Sequence, residues 1–499
     1  MTSEILSFYK DKTVLITGGT GLLGKVTIEK LLRSTDVKRI YFLVRPKRGE
    51  KVEGRFKAWK SDQVFEVLLK KKPHALEHVT PISGDCSSSD LSISEADRRT
   101  LTAEVQVVLH GAASVRFLEP LQQALNINTR AVRLMVQLAK EMRRLEAFVH
   151  ISTAFSNCVV YEIHERFYPE HLTCPVDKVL DLNDSLSGEV IEKMAPALLG
   201  NYPNTYTYTK ALGEQVIQEE AKDLPVGIYR PAIVLSTYNE PVRGWIDSLQ
   251  GMMGLIYGTA YGMVHLMLVN RKVHCNLVPA DYCVNVAIAT AVQIAKLSKL
   301  NKNSPPPIYA FSPCQSNRVT YGFAQDQCYQ IGLTEPNKKM IWYPFNRNTT
   351  CPWVYNIGAM FYHTLPGFLM DLFLRLKGQK PIMAKAYRKI DDGGRMLAPF
   401  TKKDFIMHTK NTDQLWQSMS PEDKKIFNFD MTTVDWKDFF TGVMDGIRLY
   451  FFKDAPTPES IAEGKKILFK FYVLDRLLTS VIVLIAGAFI WFLLKLAFN

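Results

Sequence analysis

Thr13-Val-Leu-Ile-Thr17-Gly18-Gly19-Thr20-Gly21-Leu22-Leu23-Gly24 decides how the first half of the chain folds. The opening β-branched and aliphatic run suits a strand buried on both faces, as in a parallel sheet. A glycine turn follows it, and Lys25 to Ser34 then shows helical periodicity. In this order of strand, turn and helix, Gly18, Gly21 and Gly24 let the backbone turn tightly, approach a pyrophosphate and pack the helix on the sheet. The helix N-terminus offers free N–H groups to phosphate. Thr17, Thr20, Leu22 and Leu23 complete the loop against the cofactor. A second strand over Arg39–Val44, about twenty residues on, completes a dinucleotide-binding unit.

The end of that second strand selects the cofactor, because an acidic residue there binds a ribose 2′-OH and a basic one accepts a 2′-phosphate. The residues are Arg45-Pro46-Lys47-Arg48. Arg45 and Arg48 therefore point to NADPH, since a guanidinium fork pairs well with phosphate. Other strand ends are expected along the same cleft: Asp85 after VTPIS, Ala112 and Ala113 after VQVVLHG, and Ser152-Thr153 after AFVHI. Asp85 is positioned to accept from an adenine amino group, and the two alanines let the cofactor lie close. Pro231, in YRPAIV, is assigned to the cofactor side as well. Open α/β sheets bind ligands beyond the carboxyl ends of their strands.

Tyr206 and Lys210 stand at i and i+4 in NTYTYTK, one above the other on a helix face. Carbonyl reduction needs an acid at the oxygen, and a neighbouring ammonium is expected to lower the phenol's pKa toward the working pH. Tyr206 and Lys210 also reach the cofactor in this reading. Thr153 or Ser152 would give the second hydrogen bond to the developing oxyanion, and Asn128 would hold Lys210 through water. Tyr208, two residues along, faces elsewhere.

The 499 residues exceed one compact core, so two folded regions and an anchor are expected. The divisions are a doubly wound Rossmann domain over 1–300, a smaller, mainly helical region over 301–460, and a transmembrane helix over 477–498. Net charge is +12, which taken alone reads as a well-solvated surface and which also suits an anionic partner: an acidic membrane surface or a phosphate-rich ligand. No Lys/Arg block reaches the density of a nucleic-acid arm, so nucleic acid is excluded. The eight cysteines show neither C-x-x-C nor metal-ligand spacing and read as reduced cytosolic thiols, with no metal expected. The N-terminus lacks a basic segment followed by an apolar run, so secretion is not expected and the Asn348 sequon is discounted.

Leu477–Leu494 reads LLTSVIVLIAGAFIWFLL, without a charge. At about 1.5 Å per residue it nearly crosses a hydrocarbon core of roughly 30 Å. Lys465, Lys466, Lys470 and Arg476 precede it and only Lys495 follows, which keeps the preceding mass cytosolic. A tail anchor in the endoplasmic reticulum is expected, with the peroxisome as the alternative. Trp353–Leu374 is also apolar, but Asn356, His363, Pro366, Gly367 and Asp371 interrupt it. That stretch reads as interfacial or as the wall of an apolar pocket, with ordinary core packing the other reading.

The segments TGGTGLLGK, FLVRPKRG, HGAASVRF, FVHISTAFSN, NTYTYTKALGE, YRPAIV, GWIDS, LVPADYCVN and SPEDKKIFNFD together resemble alcohol-forming fatty acyl-CoA reductases, an extended short-chain dehydrogenase/reductase group. The likeness runs from Phe8 to about Leu449. It implies a Rossmann domain, a C-terminal region that helps enclose acyl-CoA, cofactor contacts at Gly18, Gly21, Gly24 and Arg45, and chemistry at Thr153, Tyr206 and Lys210. Two departures, Leu249-Gln250-Gly251-Met252 after GWIDS and Ala113-Ser114 where the group often has Ala-Thr, fall near the expected substrate cleft. The expected reaction is reduction of a long or very-long-chain acyl-CoA to a primary alcohol through an aldehyde, with release of CoA. A membrane-bound sterol dehydrogenase and a non-catalytic cofactor-sensing tether are the competing readings. A homodimer stays open.

Overall fold

A computed structural model describes residues 3–46, 51–88, 90–249, 251–300 and 304–498. Among the described residues the main sheet has seven strands: β1 (Thr13–Thr17), β2 (Arg39–Val44), β3 (Val79–Ser83), β4 (Val107–His110), β5 (Ala147–Ile151), β6 (Val226–Pro231) and β7 (Ile308–Phe311). All pair in parallel, in the order β7-β6-β5-β4-β1-β2-β3. The chain runs outward from β1 to β3, returns to β4 and proceeds the other way, so β1 and β4 flank the switch point where such sheets bind ligands. Register fixes what stands there. Thr17 lies opposite His110, and His110 opposite His150. The expected Rossmann sheet is therefore present.

Helices α1 (Leu22–Ser34), α2 (Ala131–Glu141), α3 (Thr205–Glu220) and α4 (Ala280–Leu300) belong with this sheet. α2 buries Val132, Met135, Val136 and Ala139, one stripe at helical spacing. α4 is long and apolar enough to cross a bilayer, yet it is mostly buried, as the core helix of a parallel sheet must be.

Two compact units interleave along the chain. One gathers 1–247, 274–319 and 403–435, and the other gathers 248–273, 320–402 and 436–499. A single boundary near residue 300 does not describe this packing. The segment 403–435 returns to the sheet because its polar groups finish that unit's edges. Asn411 and Thr412 donate to the Ile308 and Ala310 carbonyls of β7 at 2.8 and 2.6 Å. Asp423, in SPEDKKIFNFD, accepts from the backbone N–H groups of Glu4 and Ile5 at 3.0 and 3.3 Å.

In the second unit, Leu266–Leu268 pairs in parallel with Arg347–Thr349. Against it pack α5 (Pro352–Leu376), a continuous run with a π-turn at Met360–Thr364, and α6 (Met383–Thr401). Leu266, Leu268, Tyr355, Ala359 and Ala398 form its small core. The last helix, α7 (Pro458–Phe498), is unbroken for 41 residues, longer than the 477–498 span expected. Leu477, Leu478, Leu484, Ile485 and Trp491 on it are exposed.

Candidate active site

The glycine loop is built by contacts no other residue permits. Gly18 has φ +77°, and a Cβ there would stand 2.9 Å from the Gly111 carbonyl carbon and oxygen. A Cβ on Gly24 would reach 2.2 Å from the Gly18 carbonyl oxygen, so the first turn of α1 can close on the loop only at a glycine. Gly21 is the N-cap of α1 and supplies no side-chain cap, which leaves the helix N-terminus to an external anion. Thr20 and Gly21 are exposed, Leu22 and Leu23 half-buried. From below, the Trp59 indole N–H donates to the Gly19 carbonyl at 2.9 Å while its ring stacks on Phe42. This cradle fits a dinucleotide pyrophosphate.

Thr17 links two strand ends. Its hydroxyl accepts from the Ala112 N–H at 3.0 Å and meets His110 Nδ1 at 2.7 Å. Burial and the nearby Lys210 ammonium push His110 down to about 3, so the imidazole is neutral. Ala112 and Ala113 thereby lie beside the glycine loop. Arg45 is exposed at the end of β2, close enough to Cys86 to pull against the burial that drives that thiol up to about 12. Asp85 also acts on Cys86, which puts Arg45 and Asp85 at one end of the sheet. Asp85 Oδ1 accepts from the Ser87 N–H and hydroxyl at 2.9 and 2.7 Å. Arg48 lies outside the described residues.

α3 begins at Asn204, whose side chain accepts from the Thr207 N–H at 2.9 Å. That cap sets the helix phase. Tyr206 is half-buried, hydrogen-bonded to Thr153 and stacked on Phe117. Lys210 is buried and donates to the Ile151 carbonyl at 2.8 Å. Tyr208 is fully buried against Tyr202, so it faces elsewhere as expected. Burial pushes the Tyr206 phenol up to about 12, with the Thr153 hydrogen bond opposing. Burial also pushes Lys210 down to about 8, with Glu214 opposing. The expected lowering of the tyrosine is thus reversed: burial disfavours the phenolate and dominates, and the group that opposes it is Thr153 rather than Lys210. A phenol held protonated at neutral pH is the form that can donate to a carbonyl oxygen.

The two hydroxyls considered for the oxyanion divide their work. Thr153 bonds Tyr206, whereas Ser152 donates to Glu214 Oε1 at 2.5 Å and is corrected to a supporting residue. Asn128 reaches Thr209 at 3.0 Å and exchanges hydrogen bonds with the Ser114 backbone at 2.9 and 3.1 Å. It joins the loop after β4 to the helix turn before Lys210. Pro231, at the end of β6, accepts from the Ala154 N–H at 2.8 Å and so pins the loop carrying Thr153.

A male sterility protein family model matches residues 16–287, and a second of the same description matches 362–454. The chain is 40% identical to the fatty acyl-CoA reductase wat of Drosophila melanogaster over 93% of its own length and 89% of the relative's. The chain belongs to the fatty acyl-CoA reductase family. Against fatty acyl-CoA reductase 2 of Mus musculus identity is 36%, covering 91% of this chain and 87% of that one. Among solved structures, the reductase domain of a nonribosomal peptide synthetase from Mycobacterium tuberculosis has a TM-score of 0.58 at 17% identity, covering 90% and 96%. The terminal R domain of the myxalamid pathway has a TM-score of 0.56 at 19% identity, covering 92% and 97%. These two likenesses concern the fold.

This reductase also has a buried ion pair that inspection of its sequence did not find. Glu214 accepts from Arg230 at 2.9 and 2.6 Å, from Ser156 at 2.8 Å and from Asn157 at 3.3 Å, with both charged side chains almost wholly buried. Arg230 also donates to the His164 and Arg166 carbonyls at 3.0 and 2.9 Å. The signal was present as a third step, i+8, on the helix face of Tyr206 and Lys210. Its partner, 16 residues on, is set by the sheet.

Proposed function

We propose that this fatty acyl-CoA reductase uses NADPH and carries acyl-CoA through an aldehyde to the primary alcohol, consuming two NADPH and two protons and releasing CoA. The observation that carries the reading is Tyr206 held protonated against Thr153, one turn from Lys210, at the strand ends that also carry the glycine cradle. A bound nicotinamide supplies hydride. Gly18, Gly21, Gly24 and the start of α1 hold the pyrophosphate, Asp85 and Ala112–Ala113 flank the cofactor, and Arg45 meets its 2′-phosphate. Tyr206 and Thr153 hold the thioester oxygen and stabilise the charge that develops on it. Collapse of the resulting hemithioacetal expels the thiolate, and Tyr206 then protonates the oxygen of the aldehyde in the second reduction. Lys210 returns the proton to Tyr206.

A tail anchor in α7, placed in the endoplasmic reticulum with the sheet unit cytosolic, suits a substrate and a product that both partition into lipid. Detergent-solubilised protein and its Tyr206→Phe variant, given NADPH or NADH with long and very-long-chain acyl-CoAs, test the reading by mass spectrometry. Alcohol from the wild type with NADPH, and none from the variant, is expected. Aldehyde alone makes it a two-electron reductase, and turnover of a sterol but no acyl-CoA overturns the substrate.

A further inference from the structure

α5 is built inside out. Tyr355, Ala359, His363, Gly367 and Asp371, spaced every four residues, form its buried stripe. The polar members of that stripe are all satisfied. His363 Nδ1 lies 2.6 Å from Asp391 Oδ1, which also accepts from the Tyr355 hydroxyl at 2.9 Å. His363 Nε2 accepts from the His265 N–H at 3.4 Å, which leaves Nδ1 as the nitrogen that donates to the carboxylate. Asp371 accepts from the N–H groups of Ile382, Met383 and Ala384 at 2.8 to 2.9 Å, capping α6 and closing α5 and α6 into a hairpin.

The opposite face carries Phe361, Leu365, Phe368, Leu369, Leu372 and Phe373, each at least 49% exposed except Leu372 at 46%. A water-facing helix places its polar residues outward, and a contiguous apolar face of this size marks an interaction site. The charge pattern says with what. Between residues 351 and 390 the sole carboxylate in the sequence is Asp371, which is buried. Arg375, Lys377, Lys380, Lys385, Arg388 and Lys389 are all exposed at the end of α5 and along the start of α6. Lys377 lies over the Phe373 ring at 4.4 Å, its stem along the apolar face and its charge at the edge.

We propose that the α5–α6 hairpin lies in the headgroup region of an anionic bilayer, apolar face toward the acyl chains and cations toward lipid phosphate. An amphipathic helix with aromatic and leucine side chains on one side and lysine and arginine at its margin has this affinity. The inward stripe settles depth: a helix whose buried face is spent on His363–Asp391 and on capping α6 cannot leave its unit to span the membrane without stranding those groups. The same unit carries α7, on which Leu477, Leu478, Leu484, Ile485 and Trp491 are likewise exposed, so the hairpin contact adds to that helix's own. Between the hairpin and Leu266–Leu268 sits a small apolar cavity lined by Tyr355, Ile390 and Leu397, which places an apolar space directly beneath the lipid-facing helix.

The full-length protein, with Cys351→Ser to remove its exposed thiol, is labelled with an environment-sensitive fluorophore at Phe368→Cys or Leu372→Cys. It is then reconstituted into phosphatidylcholine vesicles with and without phosphatidylserine. Spin-labelled lipids quenching at the shallow acyl position should dim either label roughly twofold, and more than those quenching at the bilayer centre. A label at Lys389→Cys should be quenched least. Removing phosphatidylserine should weaken the shallow quenching. Quenching by neither lipid would overturn the proposal, as would quenching greatest at the centre, which would make α5 a span. Self-quenching that rises with protein density would overturn it in favour of a second copy of the chain. None of these readouts depends on the reaction catalysed.

Discussion

The glycine loop and the face of α3 form two halves of one cleft, and they are specified in opposite ways. The loop is made of backbone, and Gly18 and Gly24 are there because a Cβ would strike main-chain atoms. The α3 face is made of side chains, and each owes its state to a neighbour from a distant part of the chain: Thr153 for Tyr206, Ile151 for Lys210, Arg230 for Glu214. Gly18 and Gly24 admit no side chain, the first because the backbone at Gly111 stands against it and the second because the loop closes on itself. The helix face could accept many residues sterically, yet it functions only inside this packing.

The sharpest test of the contrast is Tyr206→Phe. It should lower kcat by about 10²- to 10⁴-fold with an unchanged melting temperature, because it deletes an acid and leaves the packing. A matching fall in stability would mean that the hydroxyl is structural. Next, Glu214→Ala strands the Arg230 guanidinium in the interior and should cost about 3–5 kcal/mol in denaturant unfolding. Glu214→Leu combined with Arg230→Leu should recover part of that loss, since two apolar groups leave no charge unpaired.

Thr153→Ala and Ser152→Ala separate the two hydroxyls. The first should reduce kcat by about 10²-fold or more as an oxyanion donor is lost. The second should cost about 1 kcal/mol of stability and leave kcat nearly intact. Exchanged outcomes would reverse the assignment. For the loop, Gly24→Ala should destabilise by about 1–3 kcal/mol through overpacking. Gly21→Ala, whose nearest non-neighbour atom is 3.6 Å away, should change melting little and weaken cofactor affinity instead.

The smallest effect is on pH dependence. Lys210 has its folded pKa lowered to about 8 from 10.5, so below pH 8 it is charged in both states and burial costs stability in full. Between about 8 and 10.5 the unfolded chain binds the extra proton, and this group's contribution to stability rises with pH. Lys210→Met should therefore be more stable than wild type at neutral pH, by a margin that narrows as pH climbs through that window. The wild-type kcat should fall as pH rises through about 8, where the folded enzyme loses the ammonium. A margin that widens would place the pKa shift in the other direction.

How much was legible follows the same line. The loop, the two strands around it and the i, i+4 pair could be read directly, because they depend on residues within a few positions of one another. Ser152 and Thr153 could not be told apart, since adjacent residues at a strand end point to opposite sides and the sequence does not say which side holds α3. The rise in the Tyr206 pKa was missed because it is set by burial, a property of the whole fold, while Lys210, the neighbour the spacing supplied, is turned to the Ile151 carbonyl. Ser420–Asp430 was assigned to the C-terminal region by position, whereas hydrogen bonds to Glu4 and Ile5 return it to the sheet unit.

By itself the sequence determined the parallel sheet, its phosphate-binding turn, the tyrosine–lysine pair and the apolar character of the two C-terminal stretches. Each is written in the steric needs of a glycine or in the period of a strand or helix. Only the tertiary structure decided which hydroxyl meets Tyr206, that Glu214 and Arg230 neutralise each other beneath Lys210, that the two units interleave, and that α5 turns its polar stripe inward. Those outcomes are contacts between residues far apart in the chain, where desolvation and hydrogen-bond satisfaction, not local preference, set the lowest free energy.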